Sequence, residues 1–222
     1  MTPRRLVLLV LGAMGALCVP SVARAAGPRS EVMDLARSAW ECARRSGEVD
    51  GSLLTVIDYS LPSTAKRLWV IDMASRRVLW NELVAHGEGS GDLEAVSFSN
   101  QPGSRRSSLG LFRTEEIYRG RHGASLRLEG LEPGINDNAM DRAVVIHGAA
   151  YVSSRVVESF GRLGRSWGCP ALDRRVSGSI INRIKGGSAV FAYYPDARWL
   201  ARSRFLHCGE RVASGGVSTA RP

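Results

Sequence analysis

Ala143-Val144-Val145-Ile146-His147-Gly148, with Ser166-Trp167-Gly168-Cys169-Pro170 downstream, carries most of what this chain says about itself. Ala143 to Ile146 is an unbroken apolar run, the mark of a strand buried on both faces. It delivers His147 at its end. Gly168 is small and leaves room for a substrate to approach the sulfur of Cys169. A cysteine attacks as the thiolate, and a neighbouring imidazole is a common means of making one near neutral pH. Eighteen residues, Gly148 through Arg165, lie between His147 and Ser166. That is enough for a loop and a turn that bring the two side chains together.

Outward from these stretches the chain reads mostly as strands. Leu53–Tyr59 is rich in β-formers and is broken by Leu61-Pro62-Ser63. Leu68–Asp72 and Val78–Val84 flank Met73–Arg77, which reads as a hairpin connection. Leu109–Arg113, Ser125–Glu129 and Ser188–Tyr194 are further strands. Residues 86–108 are rich in Gly, Ser, Asn and Pro and read as a long loop, usually a functional or a disordered feature in a compact domain. Leu131–Met140 reads as another loop. Residues 31–46 place Val32, Leu35, Ala36, Ala39, Trp40 and Ala43 on one helical face, with Gly47 as a stop. Shorter helices are expected over 152–162, Val176–Lys185 and Asp196–Leu206. The expectation is a mainly β domain, a sandwich or mixed sheet with a few peripheral helices.

The N-terminus has the pattern of a secretory signal: Arg4 and Arg5, an apolar Leu6–Val19, and Ala23-Arg24-Ala25 before a mature start at Ala26. The apolar run is short for a spanning helix, which needs about 20 residues, and Leu17 is too bulky for lipidation at Cys18. The expected organisation is a signal peptide (1–25), an N-terminal helical segment (26–50), a catalytic domain (51–208) and a flexible tail (209–222). Loss of Arg4, Arg5 and Arg24 lowers the formal charge from +9 to +6. A basic exported protein suits an anionic partner, although a solvated basic surface gives the same count. No basic run is interleaved with aromatics, so nucleic acid is not an expected partner. Cys42, Cys169 and Cys208 remain after cleavage, and an odd number in an exported protein leaves one thiol free. Cys42 and Cys208 then either pair or stay as two buried thiols, and Cys169 has the catalytic surroundings.

His147-Gly148 followed by Ser166-Trp167-Gly168-Cys169 resembles the active-site signature of L,D-transpeptidases with a YkuD-type catalytic domain. Val84–Gly91, Phe98-Ser99-Asn100, Ser107–Gly110 and His122–Arg127, in that order, resemble a divergent branch, the murein L,D-transpeptidase catalytic domain family. The resemblance covers roughly Leu53 to Tyr194. Two positions depart from the commoner pattern: Trp167 stands where a second histidine is usual, and Ala171 where Arg or Asn is frequent. Both bear on how a substrate is held.

The resemblance implies that Cys169 is the nucleophile, that His147 takes its proton, and that the Gly148 carbonyl orients the imidazole. It implies peptidoglycan stem peptides as partners, no cofactor and no metal, and a periplasmic or cell-envelope location. The reaction implied is acyl transfer from a tetrapeptide stem, with release of D-Ala, through a thioester to an amine, giving 3→3 cross-links. Water or a protein amine as acceptor would use the same thioester. Gly168 and Cys169 are placed to offer N–H groups to an oxyanion, and Ser166 to hold the turn or touch substrate. Arg165, Trp167, His86 and Arg127 are the substrate-binding candidates. For Arg165 and Arg127, bidentate contact with a stem carboxylate competes with an ordinary ion pair. His122 reads as a turn residue. Two competing readings are a zinc site made of His86, His147 and Cys169, without the short His/Glu spacing of a zinc hydrolase, and a wall-binding module without catalysis.

Overall fold

In the computed structural model, which describes residues 27–208, the expected strands form and their ladders close on one another. The strands are β1 (Leu53–Asp58), β2 (Lys66–Asp72), β3 (Arg77–Ala85), β4 (Gly110–Gly120), β5 (Gly123–Gly130), β6 (Val145–Ala149), β7 (Ala171–Asp173) and β8 (Ala189–Tyr193). Their order around the closed sheet is β1-β2-β3-β7-β6-β5-β4-β8. The sheet is mixed: β1 runs parallel to β8 and β6 parallel to β7, and the other pairings are antiparallel. The proposed signal segment and the tail lie outside the described residues.

The apolar patterns explain the layers. β1, β6 and β8 are buried at every position, because one face fills the barrel and the other lies under a helix. Helix α1 (Ser30–Arg45) packs over β1 and β8 through Val32, Ala36, Ala39 and Ala43. Three of those four are alanines, so the helix can approach the sheet closely. Helix α3 (Arg174–Ile184) covers β6 through Ile180, Ile181 and Ile184. Its first turn is capped by Asp173, whose side chain accepts from the Arg175 N–H. The short α2 (Ser154–Phe160) and α4 (Ala197–Arg202) are capped in the same way by Ser153 and Asp196. A disulfide joins Cys42 at the end of α1 to Cys208, with Cα atoms 5.9 Å apart, and Cys169 is the free cysteine of the described residues.

Three elements differ from expectation. β4 and β5 form a hairpin that runs to Gly120 and Gly123, well past the short strands read from sequence. Past Thr114 the β4 strand carries Glu115, Glu116 and Arg119, with Ile117 alone packing against the core, so no apolar alternation marks it. β6 continues through His147 to Ala149, so the histidine lies inside the strand. β7 was not expected at all. It has three residues, too few for a pattern, and exists because β3 and β6 leave a slot that it fills.

Candidate active site

β7 positions the chemistry. Ala171 pairs with Ala85 of β3 on one side and with His147 of β6 on the other. Cys169 stands two residues before Ala171, so the thiol is delivered beside the strand that carries the imidazole. Both side chains line one cleft of about 550 Å³, whose other walls include the β4–β5 hairpin tip and the 165–167 segment.

The imidazole has a defined role for each nitrogen. His147 Nδ1 lies 3.2 Å from the Gly148 carbonyl oxygen. A carbonyl only accepts, so Nδ1 carries the hydrogen and Nε2 keeps its lone pair. Burial holds the His147 pKa below the ordinary imidazole value, and the neighbouring His122 pushes the same way. The ring is therefore neutral at pH 7 and able to take a proton. Burial pushes the Cys169 thiol up, opposed by a backbone hydrogen bond and by the Arg142 charge. Its Sγ faces the Ala143 carbonyl at 3.7 Å, the arrangement of a protonated thiol. Burial thus favours the thiol over the thiolate and the neutral imidazole over the imidazolium.

The cysteine turn is tied down by the hydroxyls of Ser166 and Ser107. Ser166 Oγ donates to the Cys169 carbonyl at 2.6 Å and accepts from the Gly168 N–H at 3.1 Å. The Gly168 N–H is thereby occupied, which corrects the expectation that it faces an oxyanion; Gly168 shapes the turn. Its φ is +119°, and a Cβ there would stand 2.8 Å from the Arg106 carbonyl oxygen. The Cys169 N–H has no partner among the described residues. Ser107 Oγ takes the Gly87 N–H and donates to the Gly168 carbonyl, joining the long loop to the turn.

The substrate-binding candidates separate in space. Trp167 is exposed at the cleft mouth, its ring 4.8 Å from the guanidinium carbon of Arg105 and 5.4 Å from that of Arg121. Arg165 lines the cleft, yet its guanidinium holds Asp92 at 2.6 Å and the Gly91 carbonyl at 3.1 Å. Arg127 pairs with Glu116 at 2.7 Å, lies over the Tyr118 ring and does not line the cleft. His86 is buried behind the cysteine turn, with Nδ1 on Arg67 and Nε2 on the Gly91 carbonyl, so it is not a cleft residue. Its own carbonyl accepts from the Ser166 N–H at 3.0 Å, so it supports the turn through the backbone. His86 therefore does not join His147 and Cys169 in a ligand set. Among the described residues no group of three or more His, Cys, Asp or Glu is arranged to hold a metal ion, and no helix is long and apolar enough to cross a membrane.

Two cleft residues escaped the sequence reading. The His122 ring lies 4.5 Å from the His147 ring, centroid to centroid. Only the closure of the β4–β5 hairpin over β6 creates that contact. Arg142, just before the apolar run, donates to the Ser99 and Arg106 carbonyls and to Ser108 Oγ, holding the long loop against the site. Its place immediately before the buried strand was the one available signal.

Fold and cleft define a closed, mixed β-barrel domain that exposes a thiol and an imidazole together. The family model described as the L,D-transpeptidase catalytic domain matches residues 25–193, and this chain belongs to that family. No curated protein matches it. Among solved structures it is similar to an L,D-transpeptidase from Mycobacterium smegmatis, at 14% identity and TM-score 0.40, over 64% of this chain and 59% of that one. It is also similar to an L,D-transpeptidase from Stackebrandtia nassauensis, at 13% identity and TM-score 0.37, over 73% and 68%. The helical cell shape determining protein Pgp2 from Campylobacter jejuni matches at 13% identity and TM-score 0.43, over 74% and 56%. The chain spans about three fifths of the length of the first of these. The family assignment rests on the family model.

Proposed function

We propose that this protein is a cysteine-dependent L,D-transpeptidase acting on peptidoglycan stems. Cys169 attacks the carbonyl of the third residue of a tetrapeptide stem. The S–C bond forms as the C–N bond to the terminal D-Ala breaks. His147 Nε2 takes the thiol proton and returns it to the leaving amine. The side-chain amine of a second stem then attacks the thioester carbonyl: the new C–N bond forms as the S–C bond breaks, and the imidazole carries the amine's surplus proton to the departing Cys169 sulfur, which regenerates the thiol. The Cys169 N–H is the donor aimed at the oxyanion, and such donors contribute a few kcal/mol to the transition state. One observation carries this reading: a histidine whose Nδ1–H is held by the Gly148 carbonyl lines the same cleft as the free cysteine.

Export belongs to the same proposal. Residues 1–25 are removed as a signal peptide, and the mature chain carries its helical segment (26–50) on a catalytic domain (51–208) followed by residues 209–222, in the periplasm or cell envelope. The Cys42–Cys208 disulfide supports an oxidising compartment.

Incubation with purified disaccharide-tetrapeptide, read by mass spectrometry, tests the reaction. A dimer lacking one D-Ala is expected; a tripeptide alone would make water the acceptor. Carbapenems, which acylate this family, test the nucleophile. The wild-type protein should gain one adduct mass and Cys169→Ala none, and an equal adduct on both would remove Cys169 from the mechanism.

A further inference from the structure

The cleft that holds Cys169 and His147 has a marked charge imbalance. Arg121, Arg142 and Arg165 line it, and no Asp or Glu does so among the described residues. Two of the three arginines are already engaged. Arg142 spends its guanidinium on the Ser99 and Arg106 carbonyls and on Ser108. Arg165 spends its own on Asp92 and the Gly91 carbonyl. Arg105, which reaches the mouth of the cleft, pairs with Glu88. Arg121 differs from all of them. It stands at the tip of the β4–β5 hairpin, exposed, and among the described residues it has no ion pair and no hydrogen bond; its contact is with the Trp167 ring.

A guanidinium lying against an indole is held by its face and keeps its N–H edge free. That edge is the fork that matches a carboxylate with two parallel hydrogen bonds. Trp167 is two residues from Cys169, and Arg121 lines the same cleft as that sulfur. Trp167 itself is 62% exposed, more than packing alone would leave so large a ring. Its use is as the platform for Arg121.

We infer that Arg121, seated on Trp167, is the anion-reading residue of the cleft, and that it selects stems bearing a free carboxylate near the scissile bond. This rests on the stem-peptide reading above and sharpens it to a substrate class. Three carboxylates of a tetrapeptide stem share this chemistry: the terminal carboxylate of D-Ala, a side-chain carboxylate on the third residue, and the free carboxylate of the second residue.

The test uses the full chain with four disaccharide-tetrapeptides, one with all carboxylates free and three with one of them converted to the carboxamide. Release of D-Ala or its amide gives kcat/KM for the wild type, Arg121→Gln and Arg121→Lys. One of the amides should lower the wild-type kcat/KM about 10- to 100-fold, the effect of losing a charge-assisted bidentate contact. Arg121→Gln should lose the same factor on the free stem and nothing more on that amide. Arg121→Lys should recover only part, since an ammonium keeps the charge without the fork. The amide that matters identifies which carboxylate is read. The inference is overturned if no amide affects the wild type, or if Arg121→Gln slows all four stems equally. It is equally overturned if the amide penalty persists in Arg121→Gln. Failure of the wild type on all four stems would instead overturn the stem-peptide reading beneath it. Arg121 is on an exposed hairpin tip, so an unchanged melting temperature separates these effects from misfolding.

Discussion

Acid should weaken this fold through one buried histidine. His86 is 1% exposed, with Arg67, fully buried, donating to its Nδ1 at 2.7 Å. A guanidinium only donates, so Nδ1 must accept and Nε2–H must donate to the Gly91 carbonyl. Both contacts require neutral imidazole. Burial first, and then the Arg67 charge, lower the pKa to about 4, against about 6.5 in an unfolded chain. The unfolded state thus binds a proton below about 6.5 and the folded state only below about 4. Between those values the unfolded state holds more protons, so stability falls as pH falls; above about 6.5 there is no effect. At pH 4 the accumulated loss is about 3 kcal/mol. Asp72 and Asp173, held below the usual carboxylate range, lose stability on acidification too, whereas burial raises Glu132 and acts oppositely. These groups cancel in a comparison with His86→Asn, which keeps an acceptor for Arg67 and cannot titrate. Urea unfolding of both proteins from pH 7 to pH 4 is the assay. The variant should start less stable by about 1–3 kcal/mol and should gain about 3 kcal/mol on the wild type by pH 4. Parallel stability curves over that range would refute the argument.

Three further outcomes are expected. The acid limb of kcat/KM should fall below the ordinary imidazole value, because burial keeps His147 neutral to lower pH; in His122→Asn it should move upward, since the neighbour that lowers the His147 pKa is gone. Gly168→Ala forces a Cβ toward the Arg106 carbonyl at a φ of +119°, so carbapenem acylation should slow at least about tenfold, with about 1–3 kcal/mol of stability lost. Cys42→Ser with Cys208→Ser opens a cross-link between residues 166 apart, and denaturant unfolding should show a loss approaching about 5 kcal/mol on the chain-entropy account. A loss under about 1 kcal/mol would mean that docking of α1 alone holds the ends.

Strands with strong local signals were legible before any coordinates. Leu53–Asp58 and Ala189–Tyr193 are mostly apolar and buried throughout because both faces are covered, and α1 shows its Ala-rich stripe. The outer half of the β4–β5 hairpin was invisible because Glu115, Glu116 and Arg119 leave Ile117 without an alternating pattern around it, and pairing with β5 is what extends the strand. β7 was invisible because three residues hold no period, and it is the closed sheet that calls them into register.

The order of residues alone pointed to Cys169, His147 and the Gly148 carbonyl as the candidate site, since each is a local feature of a motif. It also left Cys169 as the candidate free thiol, with Cys42 and Cys208 either paired or free, and the structure joins those two. Only the tertiary structure decided who faces the cleft. His86 and Arg127, plausible in sequence, are turned to Arg67 and Glu116, whereas His122 and Arg121 arrive from a hairpin tip more than forty residues from Cys169 in the chain. Charge pairing and burial act between strands brought together by barrel closure, and no spacing along the chain encodes which of the described cleft arginines has neither ion pair nor hydrogen bond.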